Sequence, residues 1–376
     1  LIAAMVGATS RAKVVLIEKD QMGGDCLNRG CIPSKALIAS AKVARLVSRA
    51  DSFGIRNLRT DLDFESVMDR VHRVISRVAP KDSEQRYEDM GVTCIKGQAL
   101  LVDGHHVEVA GRVISAKSVI LATGAESAIP PIQGLLAAKP LTSENLWNLH
   151  TLPNRLVILG GGPIGCELAQ AFKRLGSEVS IIEAQKKLLP VEDDSASTAI
   201  ETVFGSEGIR VFTGCKAKYV NDSMVGVVDG FGGEVELPFD RILVATGRKP
   251  NVDKTSRDLV RRDGNGVVEV NRYMQTSINS VYACGDVVGP YQFTHMAAYQ
   301  GWYAAMNALT RPFWRSAIDY SAVPWCTYTD PEIARVGISE TEANQRGVKF
   351  DVTEYTLADL DRAQTDEEVE GFVRVL

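Results

Sequence analysis

The sequence predicts an α/β fold in which a parallel strand–helix–strand unit occurs twice. Three observations predict it. Residues 155–183 read as a strand, a glycine-rich turn, a helix and a second strand ending in an acid. Residues 13–18 read as the closing strand of a similar unit, again ending in an acid. The tripeptide Ala-Thr-Gly closes a buried apolar run twice, at 122–124 and at 245–247. Apolar strands joined through helices form parallel sheets covered on both faces. The expected architecture is therefore two Rossmann-like three-layer domains from an internal duplication, each shaped to bind a nucleotide.

Composition sets the outer bounds. A chain of 376 residues has room for two or three domains with ample core. Hydrophobic residues at 45% and charged residues at 24% are ordinary for a globular protein. A net charge of −5 gives no electrostatic case for nucleic acid or for an anionic membrane surface. No apolar run approaches ~18 residues, so no membrane span is expected in this segment. Seven cysteines in a chain of this length do not read as a secreted disulfide scaffold. A cytoplasmic enzyme with one special cysteine pair is the expectation.

The elements follow in order. Residues 1–7 read as the tail of an apolar helix, and 13–18 as a buried parallel strand. Residues 23–35 read Gly-Gly-Asp-Cys-Leu-Asn-Arg-Gly-Cys-Ile-Pro-Ser-Lys. Proline is favoured in a first helical turn, so Pro33 places Cys31 at or just before a helix N-terminus. That end carries partial positive charge and stabilises a thiolate. Cys26 and Cys31 are five residues apart. That is about a turn and a half of helix, so a small distortion would join the sulfurs. On spacing alone a buried apolar pair, a structural bridge and a redox disulfide all stay open. A zinc site needs about four ligands, and no second Cys/His cluster is visible.

Residues 34–50 and 63–89 carry apolar residues at three and four spacing and read as long helices. Residues 91–121 alternate short apolar pieces with turns and read as a small antiparallel meander. His105 and His106 lie in a solvated turn there. Pro130, Pro131 and Pro140 mark an exit from the domain.

In the second unit, Gly160, Gly162 and Gly165 form Gly-x-Gly-x-x-Gly between a strand and a helix. Such glycines let the backbone approach a pyrophosphate, and the helix N-terminus faces its charge. Glu183, ending the next strand, suits adenosine ribose hydroxyls and repels a 2′-phosphate. That favours NADH over NADPH, while Lys186 and Lys187 pull the other way. Residues 211–244 read as a strand-rich completion. Residues 281–286 read as a strand ending in Gly285-Asp286, before a turn and a helix. Taken alone, Glu18 is a solvated strand-end acid, Glu167 an exposed helical charge and Asp286 a helix cap. Cys94, Cys166, Cys215 and Cys284 read as packing.

The run 23–35 resembles the active-site segment of the FAD-dependent pyridine nucleotide–disulfide oxidoreductases. That class includes dihydrolipoamide dehydrogenase, glutathione reductase and mercuric reductase. Asp25 and Arg29 stand where members usually carry small or apolar residues, which suits the mercuric-reductase-like branch better. The resemblance covers nearly the whole chain. It implies FAD and NADH, or NADPH, as cofactors. It implies a Cys26–Cys31 redox disulfide, with Cys31 nearer the flavin and Cys26 the interchange thiol. The substrate implied is a small disulfide or a thiol-bound metal. Lys35 and Glu167 match the family pair near flavin N5.

FAD contacts are implied at Glu18, Lys19, Gly24, Asp25, Ala99, Ala122, Thr123, Gly124, Gly285, Asp286 and Thr294. The Thr294 contact is expected through its backbone, with His295 against the flavin ring. Nicotinamide nucleotide contacts are implied at Gly160, Gly162, Pro163, Ile164, Gly165, Glu183 and Gly247. Pro163 stands where glutathione reductases carry a tyrosine that covers the flavin, so that lid is not expected.

The implied domains are FAD-binding over 1–151, NAD(P)-binding over 152–246, a second FAD-binding part over 247–321 and the start of an α+β dimer-interface domain over 322–376. A homodimer follows from the last. Counting back from Glu18 places the first glycine turn before Leu1. The family's His–Glu pair, donated across the dimer, and a mercuric reductase's C-terminal cysteines would follow Leu376. The rival readings are a non-catalytic nucleotide-binding remnant, a flavin NADH oxidase and, least favoured, a zinc protein.

Overall fold

The computed structural model describes residues 1–56, 61–252 and 259–376. The chain divides into two compact units. The first takes residues 1–33, 71–127 and 248–319; the second takes 34–70, 128–247 and 320–376.

In the first unit the helix Ile2–Thr9 leads into the strand Val14–Glu18, which pairs in parallel with Val92–Lys96. A second parallel pair joins Val119–Leu121 to Val281–Ala283. Three short strands, Ala99–Leu101, His106–Val109 and Arg112–Ser115, form an antiparallel sheet. The meander expected over 91–121 is thus confined to this middle piece, and its two ends are parallel strands. Alternation of apolar residues identifies a strand but not its partner. Val92 buries against Ala4 and Tyr87, and that packing sets the partner. Leu121, Val281, Tyr282 and Ala304 belong to a second apolar cluster in this unit. The helix Thr294–Thr310 follows the strand Val281–Ala283 and a short turn.

The helix expected over 63–89 is interrupted. It runs as Phe64–Val78, a 3-10 turn Ala79–Asp82 and a short helix Glu84–Asp89. Pro80 has no N–H, and its ring clashes with the carbonyl one turn back, so the helix stops there. Ser83 then caps the next helix, accepting from Arg86 N.

In the second unit, four strands lie in the order Arg210–Thr213, Glu178–Glu183, Arg155–Leu159, Arg241–Val244, and every pairing is parallel. Their chain order across the sheet is 3-2-1-4, so the direction of winding reverses beside Arg155–Leu159. An open α/β sheet presents its ligand crevice at that reversal. The helix Pro163–Arg174 connects the first two strands. Val157, Leu159, Ile182 and Val244 share one apolar cluster. A three-stranded antiparallel sheet, Lys216–Val220, Met224–Val228 and Glu234–Pro238, is inserted before the fourth parallel strand.

Residues 320–376 add a hairpin Pro324–Thr327/Ile333–Val336, the helix Glu340–Arg346 and a second hairpin Thr353–Thr356/Phe372–Val375. The helix opens on a Ser339–Glu342 capping box and ends at left-handed Gly347. Among the described residues no helix is long and apolar enough to cross a membrane.

Candidate active site

Cys26 lies in the short helix Gly24–Asn28, and Cys31 opens the helix Cys31–Ser48. The intervening turn is tight. A Cβ at Gly30 would stand 3.0 Å from Asp25 O. Asn28 Nδ2 donates to Met22 O and Gly24 O, both at 3.0 Å, and fixes the turn. Cys26 and Cys31 are not joined by a disulfide here. A hydrogen bond to Cys31 pushes the Cys26 thiol well up from its ordinary value, and burial and the Cys31 charge add to it. Two hydrogen-bonded sulfurs titrate as a pair, so removing the Cys26 proton beside a charged Cys31 is costly. Cys31 Sγ is 3.2 Å from Thr294 Oγ1. Thr294 therefore meets the sulfur through its hydroxyl.

The other sequence-predicted residues of this unit gather just beyond the carboxyl ends of parallel strands. Glu18 ends Val14–Glu18 and Lys19 follows it. Ala99 stands shortly after Val92–Lys96, Ala122–Gly124 follow Val119–Leu121, and Gly285-Asp286 follow Val281–Ala283. Ligands of α/β sheets bind at such ends. A Cβ at Gly24 or Gly124 would meet nothing within 4 Å, so both glycines border open space. Ala122 and Thr123 are exposed beside one of them. Glu18 stays partly exposed and accepts from Asp20 N at 2.8 Å. The two acids can accept from hydroxyls, and the open backbone beside Gly24 and Gly124 leaves N–H groups for phosphates, which together fit FAD.

Arg248 joins three of these segments. Its Nη2 donates to Asp25 Oδ2 and, at 2.5 Å, to Ala125 O. Its Nε lies 3.3 Å from Asp286 Oδ2. Gly285 N donates to the fully buried Gln300 Oε1 at 2.8 Å, which pins the Gly-Asp turn. Burial pushes the Asp286 carboxyl up, Arg248 opposes that, and the Asp25 charge adds to it. Asp286 is thus an ion-paired acid rather than a helix cap.

Lys35 lies within the helix that Cys31 opens. Its Nζ donates to Glu167 Oε2 at 2.7 Å. Glu167, on Pro163–Arg174, is only 6% exposed, so the solvated-helix reading of this residue fails. A buried carboxylate needs a partner, and this one has two. Its Oε1 accepts from Tyr328 N at 3.0 Å. The Tyr328 ring centre lies 4.3 Å from Lys35 Nζ.

The second glycine turn is closely built. A Cβ at Gly160 would stand 2.4 Å from Ala245 O, and one at Gly165 would stand 2.0 Å from Gly160 O. Both positions admit only glycine without rearrangement, and the helix start closes onto the turn for that reason. A Cβ at Gly162 meets nothing within 4 Å. Gly162 is the N-cap, Pro163 stands in the first turn, and Ile164 is 40% exposed. The first N–H groups of a helix lack intrahelical acceptors. Space and donors together fit a pyrophosphate. Glu183 is 8% exposed and accepts from Gly161 N and Gln185 N, both at 2.6 Å. Lys187 donates to Glu192 O at 2.5 Å and to Asp194 Oδ1 at 2.7 Å, and is committed there. Gly247 follows the carboxyl end of Arg241–Val244.

Sequence reasoning missed Arg248, Tyr328 and Gln300. Arg248 directly follows the second Ala-Thr-Gly, the one local hint that it belonged to a site. Tyr328 and Gln300 gave no signal.

Residues 1–301 match the family model described as pyridine nucleotide-disulphide oxidoreductase. Residues 323–376 match that family's dimerisation domain. A dihydrolipoyl dehydrogenase of Chlamydia muridarum is 35% identical over all of this chain and 81% of its own length. A mercuric reductase of Staphylococcus aureus is 32% identical over all of this chain and 69% of its own. Among solved structures, the HOCl-induced flavoprotein disulfide reductase RclA from Escherichia coli, in a Cu(II) complex, superposes with a TM-score of 0.85 at 28% identity, over 99% of this chain and 83% of that one.

Proposed function

The chain belongs to the pyridine nucleotide–disulphide oxidoreductases, and from that membership we propose how its residues divide the reaction. It is an FAD-dependent NAD(P)H oxidoreductase of α/β fold with a dimerisation domain. FAD, when bound, supplies a two-electron relay between the nicotinamide nucleotide and the cysteine pair.

Cys26 is the interchange thiol, and Cys31 is the inner sulfur beside Thr294. With the Cys26–Cys31 bond reduced, the pair holds two electrons. The Cys26 sulfur attacks a sulfur of the substrate disulfide, forms a mixed disulfide and releases one thiol. The Cys31 sulfur then attacks Cys26. The Cys26–Cys31 bond re-forms, and the second thiol leaves. With a thiol-bound metal as substrate, the same two thiols would exchange for its thiol ligands, each incoming sulfur displacing one thiol. Lys35 is held by Glu167 and keeps a fixed positive charge. Glu18, Lys19, Gly24, Asp25, Ala99, Ala122–Gly124, Gly285, Asp286 and Thr294 hold FAD. The turn from Gly160 to Gly165, with Glu183 and Gly247, holds the nicotinamide nucleotide. A pinned carboxylate at 183 and a Lys187 committed elsewhere support NADH over NADPH. FAD-binding residues 1–151 and 247–321, NAD(P)-binding residues 152–246 and interface residues 322–376 make up a homodimeric, cytoplasmic enzyme. The observation that carries this reading is the hydrogen-bonded Cys26–Cys31 pair with Thr294 3.2 Å from Cys31.

Cys26→Ser tests it. The variant should still pass electrons from NADH to bound FAD, read by flavin absorbance. Its turnover of a small disulfide should fall by at least ~1,000-fold, as for loss of a covalent nucleophile. Full turnover would sink the relay. Gly162→Ala tests the nucleotide turn. The added methyl meets no protein atom, so the melting temperature should hold while KM for NADH rises roughly tenfold.

A further inference from the structure

Arg248 carries more than its place in the chain suggests. Its side chain is 14% exposed, against 42% for Asp25 and 20% for Asp286. A guanidinium offers five N–H donors in a rigid planar fork, so it can serve several acceptors at once. Here the acceptors come from three separate stretches of the chain. Asp25 is the neighbour of Cys26, on the same short helix. Ala125 directly follows Gly124, and its strand Ala125–Ser127 pairs with the strand Arg248–Pro250. Asp286 stands in the turn that Gln300 pins. We propose that Arg248 is a positioning residue that locks the redox-cysteine turn to the two loops that carry FAD. Through Asp25, flavin occupancy and the reactivity of Cys26 become interdependent.

The charges support the lock. Two carboxylates face one guanidinium, which leaves the cluster one unit negative. Asp25 also raises the cost of ionising Asp286. Any shift of the loop at Asp286 or Ala125 must therefore move Arg248, and Arg248 must carry Asp25 and the turn with it. A lysine keeps the charge but cannot bridge three acceptors from one plane.

The inference rests on the assignment of FAD to these loops, and the experiment separates the two. Apoprotein is titrated with FAD by flavin fluorescence. The alkylation rate of Cys26 is measured by mass spectrometry in dithiothreitol-reduced protein, with and without FAD. In the unsubstituted protein FAD should bind and change the alkylation rate several-fold. Arg248→Met should weaken FAD binding by at least about tenfold, the loss expected of a charge-assisted contact. It should also abolish the effect of FAD on Cys26. Arg248→Lys should recover part of the affinity and none of the effect on Cys26. Asp25→Asn should weaken FAD less than Arg248→Met does, yet also abolish the effect. The double variant Asp25→Asn/Arg248→Met should be no worse than Arg248→Met.

If the unsubstituted protein fails to bind FAD, the assignment of the loops fails. If it binds FAD but Asp25→Asn keeps the full effect on Cys26, only the lock is overturned. Should Arg248→Met not fold, Asp25→Asn alone decides, since Asp25 is the more exposed partner.

Discussion

Lys35 and Arg248 are both cations held against acids, and they are held for different ends. Lys35, in the second unit, has one carboxylate, Glu167, and the face of Tyr328. An ammonium has three donors and is a compact point charge. One donor goes to Glu167 and the ring faces the charge, so a site around Lys35 keeps a positive centre that can act on a bound group. Arg248, in the first unit, meets two carboxylates and a carbonyl. Its charge is over-neutralised, and what it offers is geometry. A cation with one acid is suited to electrostatic work, and a cation with two is suited to holding loops.

The most damaging way to break this contrast is Glu167→Gln. The amide still accepts from Tyr328 N but no longer carries charge. Disulfide turnover should fall roughly 10- to 100-fold, a loss discounted for the partial exposure of Lys35. Steady-state oxidation of NADH with a small disulfide as acceptor would check it, and unchanged turnover would place Lys35 with the purely structural cations.

Asp286→Asn sharpens the other side. The folded-state pKa of Asp286 is raised above 3.8 by burial, which outweighs the pull of Arg248. An acid raised in this way favours the folded state most below its unfolded pKa. That contribution is lost as pH rises through the folded value. The stability of the unsubstituted apoprotein relative to Asp286→Asn should therefore decline as pH rises through the window just above 3.8. Thermal unfolding across that range reads it; a pH-independent difference would mean Arg248 cancels burial, and one that rises with pH would mean Arg248 outweighs it.

The smallest expected effect is at Tyr328. A cation–π contact at a partly exposed site is worth about 0.5–1 kcal/mol, or a two- to fivefold change. Tyr328→Leu should lower turnover by about that factor, while Tyr328→Phe should match the unsubstituted protein. Equal loss in both would point to the hydroxyl instead.

The cysteine turn and the Gly160 turn were legible because each is written in consecutive residues. Strand Glu178–Glu183 and the glycines before it fell where the pattern placed them. Glu167 was found by its offset from Gly165, against the ordinary fate of a helical glutamate. The helix over 63–89 was overextended because apolar spacing runs through Pro80 without registering it. Val92–Lys96 was assigned to the wrong sheet because its partner, Val14–Glu18, is remote in the chain.

The sequence by itself determined the periods, the glycine turns, the cysteine pair and the acids at the strand ends. These depend on backbone geometry and side-chain chemistry within a few residues. Only the tertiary structure decided the parallel pairing of the first unit, the two backbone N–H groups that pin Glu183, the ring over Lys35 and the three-way grip of Arg248. The bond from Arg248 to Asp25 closes a separation of 223 residues. Its acceptors meet only because buried strands bring their carboxyl ends together, and nothing local in the chain records that meeting.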